Sequence, residues 1–149
     1  MWKALIAMSA LTVVWIPATL GQDQKPSDKT EFKVPPEIAK QTNPVKPTAA
    51  ALAQAKKTYG FDCAMCHGKD GDGKGDLAAD MKLQLGDYRD PTLLKGKTDG
   101  ELFYIIQKGK GDMPGEGDRA KPDDIWSLVN YIRSFAKKEA APKDKAPGS

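Results

Sequence analysis

Apolar residues recur at helical spacing in three parts of the chain. The last part is the clearest, because residues three or four positions apart form one apolar face after Pro122: Ile125, Leu128, Val129, Ile132 and Phe135. Acidic residues at positions 123 and 124 favour a helix N-terminus there through the helix dipole. No stretch alternates apolar and polar residues convincingly enough for a strand. The pattern therefore predicts an all-α domain.

Two further helices are predicted upstream of this one. The first runs from about Thr48, a possible N-cap, to Tyr59, and Gly60 is placed to end it. The second begins at Thr98, where the T-x-x-E sequence has the form of a capping box, and Gly109 ends it. These signals predict the terminal helix and two shorter ones as the regular elements of the domain.

The region between the first two helices, residues 68–97, is rich in glycine and has little regular pattern. A loop region of that length is uncommon in a compact domain. Three helices alone are also too few for a robust core. We therefore expect loops to wrap a large apolar cofactor, which would act as part of the core.

The two ends of the chain differ in composition from its centre. Lys3 precedes a short apolar run, the layout of a secretory signal peptide, and the run falls short of the roughly 20 residues of a membrane-spanning helix. Pro- and Lys-rich sequence follows, which buries too little apolar surface to order itself. We expect an exported protein of four segments: a signal peptide or uncleaved N-terminal anchor (1–21), a flexible linker (22–47), the folded domain (48–136) and a disordered tail (137–149).

Composition limits the chemistry that the chain can perform. Its 149 residues include two cysteines and one histidine, too few for a tetrahedral zinc site without carboxylates or water. The net charge of +3 is small, and basic residues are interleaved with acidic ones. This is not the concentrated basic surface of a nucleic-acid-binding protein, so we expect no nucleic-acid partner.

The two cysteines and the histidine lie together as Cys63-Ala64-Met65-Cys66-His67, the C-x-x-C-H spacing of haem c attachment. Thiols three positions apart reach the two vinyl groups of one porphyrin, and the adjacent imidazole is held under the iron. One alternative is a redox-active C-x-x-C pair, but such pairs occur in a βαβ context, which the sequence does not predict. The other is a disulfide between Cys63 and Cys66, which would close too short a loop to stabilise the fold. The motif predicts one covalently attached haem c, bound through Cys63, Cys66 and His67.

A second iron ligand is expected between the last two helices. Met113 lies there in the segment KGKGDMPGEGD, whose polar, glycine-rich composition is a poor setting for a core methionine. Met81 fits better as a pocket wall, and Met65 lies inside the attachment motif. Methionine opposite histidine raises the haem potential and favours electron transfer. The side chains expected to line the haem, each equally suited to a generic core, are Leu77, Met81, Leu85, Tyr88, Leu102 and Ile106.

Three segments, in this order, resemble a class I (mono-haem) c-type cytochrome domain of the bacterial periplasmic type: YGFDCAMCHGKDGDGKG, KTDGELFYIIQKGKGDMPG and DDIWSLVNYIRSF. The resemblance covers about residues 50–136. It implies three main helices and loops wrapped around one haem, with the terminal helices crossing so that Tyr59 lies near Tyr131. The sequence departs from the family at Ala55, where glycine is common, and the group that orients His67 is left open.

The expected function is one-electron transfer, without an enzymatic activity of the chain's own. Transient docking with redox donor and acceptor proteins in the periplasm would be steered by Lys108 and Lys110, beside Met113. The alternatives are a haem c subunit of a larger dehydrogenase or oxidase complex, and a haem enzyme or sensor with an open sixth position. Contact with a membrane is expected only if the N-terminal segment is retained.

Overall fold

The computed structural model describes residues 32–140, with side chains described as far as residue 136. The predicted signal peptide or anchor at 1–21 lies outside the described residues, as does most of the predicted tail. The elements in chain order are α1 (Pro36–Ala39), α2 (Ala49–Thr58), a π-helix (Tyr59–Cys63), α3 (Ala64–His67), α4 (Asp76–Asp80), α5 (Pro91–Lys95), α6 (Asp99–Lys108), β1 (Gly109–Lys110), β2 (Met113–Pro114) and α7 (Pro122–Ala140). This helical architecture confirms the all-α prediction.

The core forms where α2 and the π-helix pack against α7. All five apolar residues predicted for one face of α7 are buried. The Tyr59 ring meets the rings of Tyr131 and Phe135 at centroid distances of 5.3 and 5.2 Å. The two helices therefore meet through an aromatic cluster, and the predicted proximity of Tyr59 and Tyr131 is confirmed.

The predicted caps are present at two helix starts. The Thr48 hydroxyl accepts a hydrogen bond from the Ala51 N–H at 3.2 Å, at the start of α2. At α6, the Glu101 N–H donates to the Thr98 hydroxyl at 3.1 Å and the Thr98 N–H donates to the Glu101 carboxylate at 2.7 Å. This reciprocal pair confirms the capping box, which satisfies two backbone donors that the helix itself leaves unpaired.

The first predicted helix is present as α2, which ends at Thr58, but Gly60 does not end the helical backbone, so that part of the prediction is wrong. The chain continues as a π-helix through Cys63 and then as α3. A glycine stops a helix by taking a left-handed conformation, and Gly60 is not among the residues with positive φ. Burial of Tyr59, immediately before it, favours continuing the helical backbone over stopping it.

The predicted loop region contains two short helices, α4 and α5. The Gly71 N–H donates to the Gly68 carbonyl in a turn before α4, and the Tyr88 N–H, between α4 and α5, donates to the Gly71 carbonyl. The structure also has a small antiparallel hairpin, in which Gly109 pairs with Pro114 and Lys110 with Met113. Two-residue strands are too short to produce a detectable alternation, which explains why the sequence did not predict them.

Residues 32–47 differ from the expected flexible linker, and we call them the N-terminal strap. The Asn43 side chain donates to the Trp126 carbonyl at 2.9 Å, and the Asn130 side chain donates to the Val45 carbonyl at 2.8 Å. Because these bonds use polar side chains and backbone carbonyls, a composition argument based on apolar burial misses them. At the other end, α7 continues to Ala140, past the domain boundary expected at residue 136.

Candidate haem-binding site

The attachment motif lies where the π-helix passes into α3. Cys63 ends the π-helix and Cys66 and His67 end α3, so all three side chains come from little more than one turn. Both cysteines are half-buried, and neither forms a disulfide. The disulfide alternative therefore has no support, and both thiols are available for covalent attachment.

His67 has an apolar setting. Its ring stacks on Tyr88 at a centroid distance of 5.0 Å, with 22° between the ring planes. Burial lowers its pKa, which favours the neutral imidazole that can bind a metal ion. Its Nδ1 atom is buried and has no hydrogen-bond partner among the described residues. A buried nitrogen without a partner is costly, so this environment fits a histidine that completes its bonding with a bound group.

The backbone of the glycine-rich loop that follows the attachment motif lies in close contact with it. The Gly73 N–H donates to the His67 carbonyl at 2.9 Å, and the Gly75 N–H donates to the Cys66 carbonyl at 3.0 Å. A Cβ atom at Gly75 would lie 2.2 Å from the Met65 carbonyl oxygen, which leaves no room for any side chain. Sequence reasoning found a glycine-rich loop but missed this close approach, since its partner is backbone.

A buried carboxylate also belongs to this neighbourhood. Burial is the main cause that raises the pKa of the Cys63 thiol to about 12, and the nearby carboxylates of Glu116 and Asp62 contribute to the same rise. Glu116 is 6% exposed and pairs with Arg119 at 2.6 Å. The thiol is therefore kept protonated and electrically neutral. Sequence reasoning did not single out Glu116, which has no distinguishing motif.

Met113 reaches the same core from a distant part of the chain. It is half-buried on β2, and it packs against the main apolar cluster, as Cys63 and Tyr88 do. The hairpin thus brings Met113 to the core that backs the attachment motif. Among the expected lining residues, Leu102 and Ile106 are buried and Leu85 and Tyr88 are half-buried, whereas Leu77 and Met81 are 37% and 50% exposed.

Residues 50–132 match the family described as cytochrome c oxidase, cbb3-type, subunit III. The chain belongs to this family of c-type cytochrome domains. The matched residues include the attachment motif, Met113 and most of α7. They make up more than half of the chain.

Curated relatives of the domain are also cytochromes. Cytochrome c6 of Cladophora glomerata is 36% identical over 84 residues, which cover 56% of this chain and 88% of that protein. The chloroplastic cytochrome c6 of Chlamydomonas reinhardtii is 26% identical over 134 residues, covering 87% of this chain and 84% of that protein. The cytochrome domain is therefore a mono-haem class I domain that functions in electron transfer.

A solved structure has a similar fold. A chain of the Kuenenia stuttgartiensis reducing HAO-like protein complex aligns with a TM-score of 0.53 and 24% identity, over 62% of this chain. The alignment covers 46% of that chain, so the present chain spans less than half of its length. At this identity the likeness concerns the fold alone.

The cytochrome domain binds one haem c covalently, as its family does. The residues present fit that group, because the C-x-x-C-H motif is folded into one turn with two unpaired thiols. The partnerless Nδ1 atom of His67 and the surrounding apolar core fit it as well. The motif thus suits a single haem-binding site.

Proposed function

We propose that this chain is a one-electron carrier whose single haem c is held by Cys63, Cys66, His67 and Met113. The observation that carries the proposal is the folded attachment turn, in which two free thiols and a neutral imidazole lie within the matched cytochrome domain. A haem c bound there supplies a one-electron iron(III)/iron(II) couple.

The two cysteines attach the cofactor. Their thiols would hold a haem c through two thioether bonds, each formed by addition of S–H across one vinyl group, so that no group leaves. Because the Cys63 thiol is neutral in its buried position, no charge is stranded beside the porphyrin before the bond forms. Two such bonds fix the ring relative to α3 and therefore relative to His67.

In this proposal His67 and Met113 would hold the haem iron. Stacking on Tyr88 restricts the rotation of the imidazole, and both Tyr88 and Met113 pack against the apolar cluster. With both residues bound, the iron would keep the same protein ligands in both oxidation states. That arrangement favours electron transfer over substrate chemistry, so the chain itself is not an enzyme.

The proposed setting is the periplasm or another exported compartment, reached through residues 1–21. None of the helices within residues 32–140 is long and apolar enough to cross a bilayer. Redox donor and acceptor proteins would dock transiently, steered by the exposed Lys108, at the end of α6, and the exposed Lys110, in β1 of the hairpin. Membrane contact would then depend on retention of the N-terminal segment.

A second candidate function is that of a haem c subunit in a larger oxidoreductase complex. The family description favours it, since it names a subunit of an oxidase. Co-purification of the full chain from its native source separates the two candidates. A stable complex of fixed composition supports the subunit, whereas a free chain supports the shuttle.

The proposed ligands are tested by optical spectra of the full chain, produced in a host that attaches haem c. Haem staining on a denaturing gel should be positive for the wild-type protein and lost when both cysteines are changed to alanine. Oxidised and reduced spectra should be low-spin, and carbon monoxide should not change the reduced spectrum. The Met113→Ala variant should bind carbon monoxide and have a lower reduction potential.

Met81→Ala is the matched control, since Met81 is a half-exposed methionine outside the hairpin. Because Met81 is expected in the pocket wall and not as a ligand, the variant should keep the low-spin state and the carbon monoxide response of the wild-type protein. Ready binding of carbon monoxide by the wild-type protein would instead indicate an open-site haem enzyme or sensor. A protein that retains no haem would contradict the proposal and favour a redox-active thiol pair at Cys63 and Cys66.

A further inference from the structure

The N-terminal strap is fixed at the start of α6. The Thr98 hydroxyl, which caps that helix, donates to the Ala39 carbonyl at 2.6 Å. A Cβ atom at Gly100 would lie 1.8 Å from the Ile38 carbonyl oxygen, so glycine is required for this approach. The strap therefore has a built docking place rather than a loose surface contact.

The beginning of the strap lies at the other end of α6. The Phe32 ring is 5.7 Å from the Tyr104 ring, with the two planes tilted by 51°. The Lys110 ammonium group lies 5.5 Å from the centroid of Phe32. Lys110 is the pairing partner of Met113 in the hairpin. Phe32 thus contacts the residue that faces the proposed iron ligand.

The hairpin has little stability of its own. Each of its strands has two residues, and the connection between them is exposed, with Gly111 at a φ of 60°. A ribbon this short is marginal in water unless other contacts restrain it. A contact made on Lys110 from outside the hairpin therefore has a large proportional effect on how often the hairpin opens.

We propose that Phe32 is a positioning residue for Met113, acting through Lys110 to keep the hairpin closed on the haem. The inference rests on the proposed function, which assigns Met113 as an iron ligand. An external ligand can reach the iron only when Met113 leaves it. The population of the open hairpin therefore sets the apparent affinity for such a ligand. The strap lowers that population.

The test is imidazole binding to the ferric, haem-loaded full chain, followed by its optical spectrum. Phe32→Ala should raise the apparent imidazole affinity by roughly threefold to tenfold, the range expected when an aromatic contact is lost. Phe61→Ala is the matched control, because Phe61 is 82% exposed, and it should leave the affinity unchanged. Measurements well below the melting temperature separate this effect from a loss of global stability.

Two more variants test whether the N-terminal strap acts on the hairpin. Lys110→Gln removes the charge over the Phe32 ring, and Gly100→Ala blocks the docking of Ile38; both should raise the imidazole affinity in the same direction as Phe32→Ala. A purely structural strap would lower the melting temperature of these variants without changing imidazole binding. That result would overturn the inference.

The Met113→Ala variant separates the assignment of Met113 as an iron ligand from the proposed role of the N-terminal strap. If it binds imidazole much more tightly than the wild-type protein while Phe32→Ala matches the wild type, Met113 is the ligand and the role of the strap is refuted. If Met113→Ala leaves imidazole binding unchanged, Met113 is not the ligand and both proposals fail. Tighter binding in both variants supports both.

Discussion

The Tyr59 hydroxyl donates a hydrogen bond of 2.9 Å to the carbonyl oxygen of Gly68, directly after the attachment motif. This bond joins the two ends of the segment that carries Cys63, Cys66 and His67. The same tyrosine is 1% exposed and packs its ring against α7. The C-terminal helix is thereby coupled to the haem attachment turn through one side chain.

Removal of that hydroxyl tests the coupling. Tyr59→Phe should lower the free energy of unfolding by about 0.5–1.5 kcal/mol, because it removes one buried hydrogen bond and leaves the Gly68 carbonyl with the Gly71 N–H as its donor. Tyr131→Phe, which removes a hydroxyl from the same aromatic cluster, should change it by less than about 0.5 kcal/mol. Chemical denaturation measures both, and an equal loss in the two variants would contradict the specific role of Tyr59.

Gly75 should tolerate no side chain. Gly75→Ala places a Cβ atom against the Met65 and Ala64 carbonyl oxygens, at 2.2 and 2.7 Å, so the loop or the attachment turn has to move. We expect a destabilisation of about 1–3 kcal/mol and a smaller haem-loaded fraction, measured by denaturation and by haem staining. Gly60→Ala has no atom within 4 Å of the new Cβ and should retain full loading. Normal loading of Gly75→Ala would show that the approach is not required.

Asp87 should make stability depend on pH in the acid range. Paired hydrogen bonds from the Arg89 guanidinium, at 2.9 and 2.7 Å, lower the pKa of Asp87 from 3.8 to about 2. Because the folded value is the lower one, the contribution is fully present above pH 3.8 and is lost as the pH falls towards 2. Solvent screening limits it to less than about 1 kcal/mol, since both side chains are more than one third exposed.

The measurement for Asp87 is the denaturation midpoint of Asp87→Asn against wild type between pH 2 and 6. The variant should be the less stable protein at pH 6, and the difference should shrink as the pH falls to 2. Asp118→Asn, at another exposed position, provides the control for loss of a surface charge. A difference that stays constant over this range would rule out the ion pair as its source.

The N-terminal strap should open more often when one of its two side-chain hydrogen bonds with α7 is removed. Asn130→Ala deletes the donor to the Val45 carbonyl, a bond worth about 0.5–1.5 kcal/mol, so cleavage by trypsin after the exposed Lys40 should accelerate roughly threefold to tenfold. Ser127→Ala, which removes a bond within α7 itself, should leave the cleavage rate unchanged. Equal rates in all three proteins would mean that Asn130 does not hold the strap.

Predictions from local sequence were confirmed where the interacting residues are close together along the chain. The capping box at Thr98 and the buried face of α7 follow from spacing alone, and both are present. Prediction failed where the partner is remote. Gly60 carries a stop signal that the packing of Tyr59 overrides, and the strap is ordered by Asn43 and Asn130, whose acceptors lie more than 80 positions away.

The sequence by itself determined the helical class, the haem attachment motif and the candidate ligand Met113, because each depends on residue types at short, fixed spacing. The tertiary structure alone decided which backbone lies against the motif, how Tyr59 joins it to α7, and that Phe32 lies beside the hairpin of Met113. These contacts join residues that are distant in sequence and mostly involve carbonyl oxygens or ring faces. Every residue has a backbone carbonyl, so residue type does not indicate which one will be a contact partner. These contacts can therefore be identified only in the folded structure.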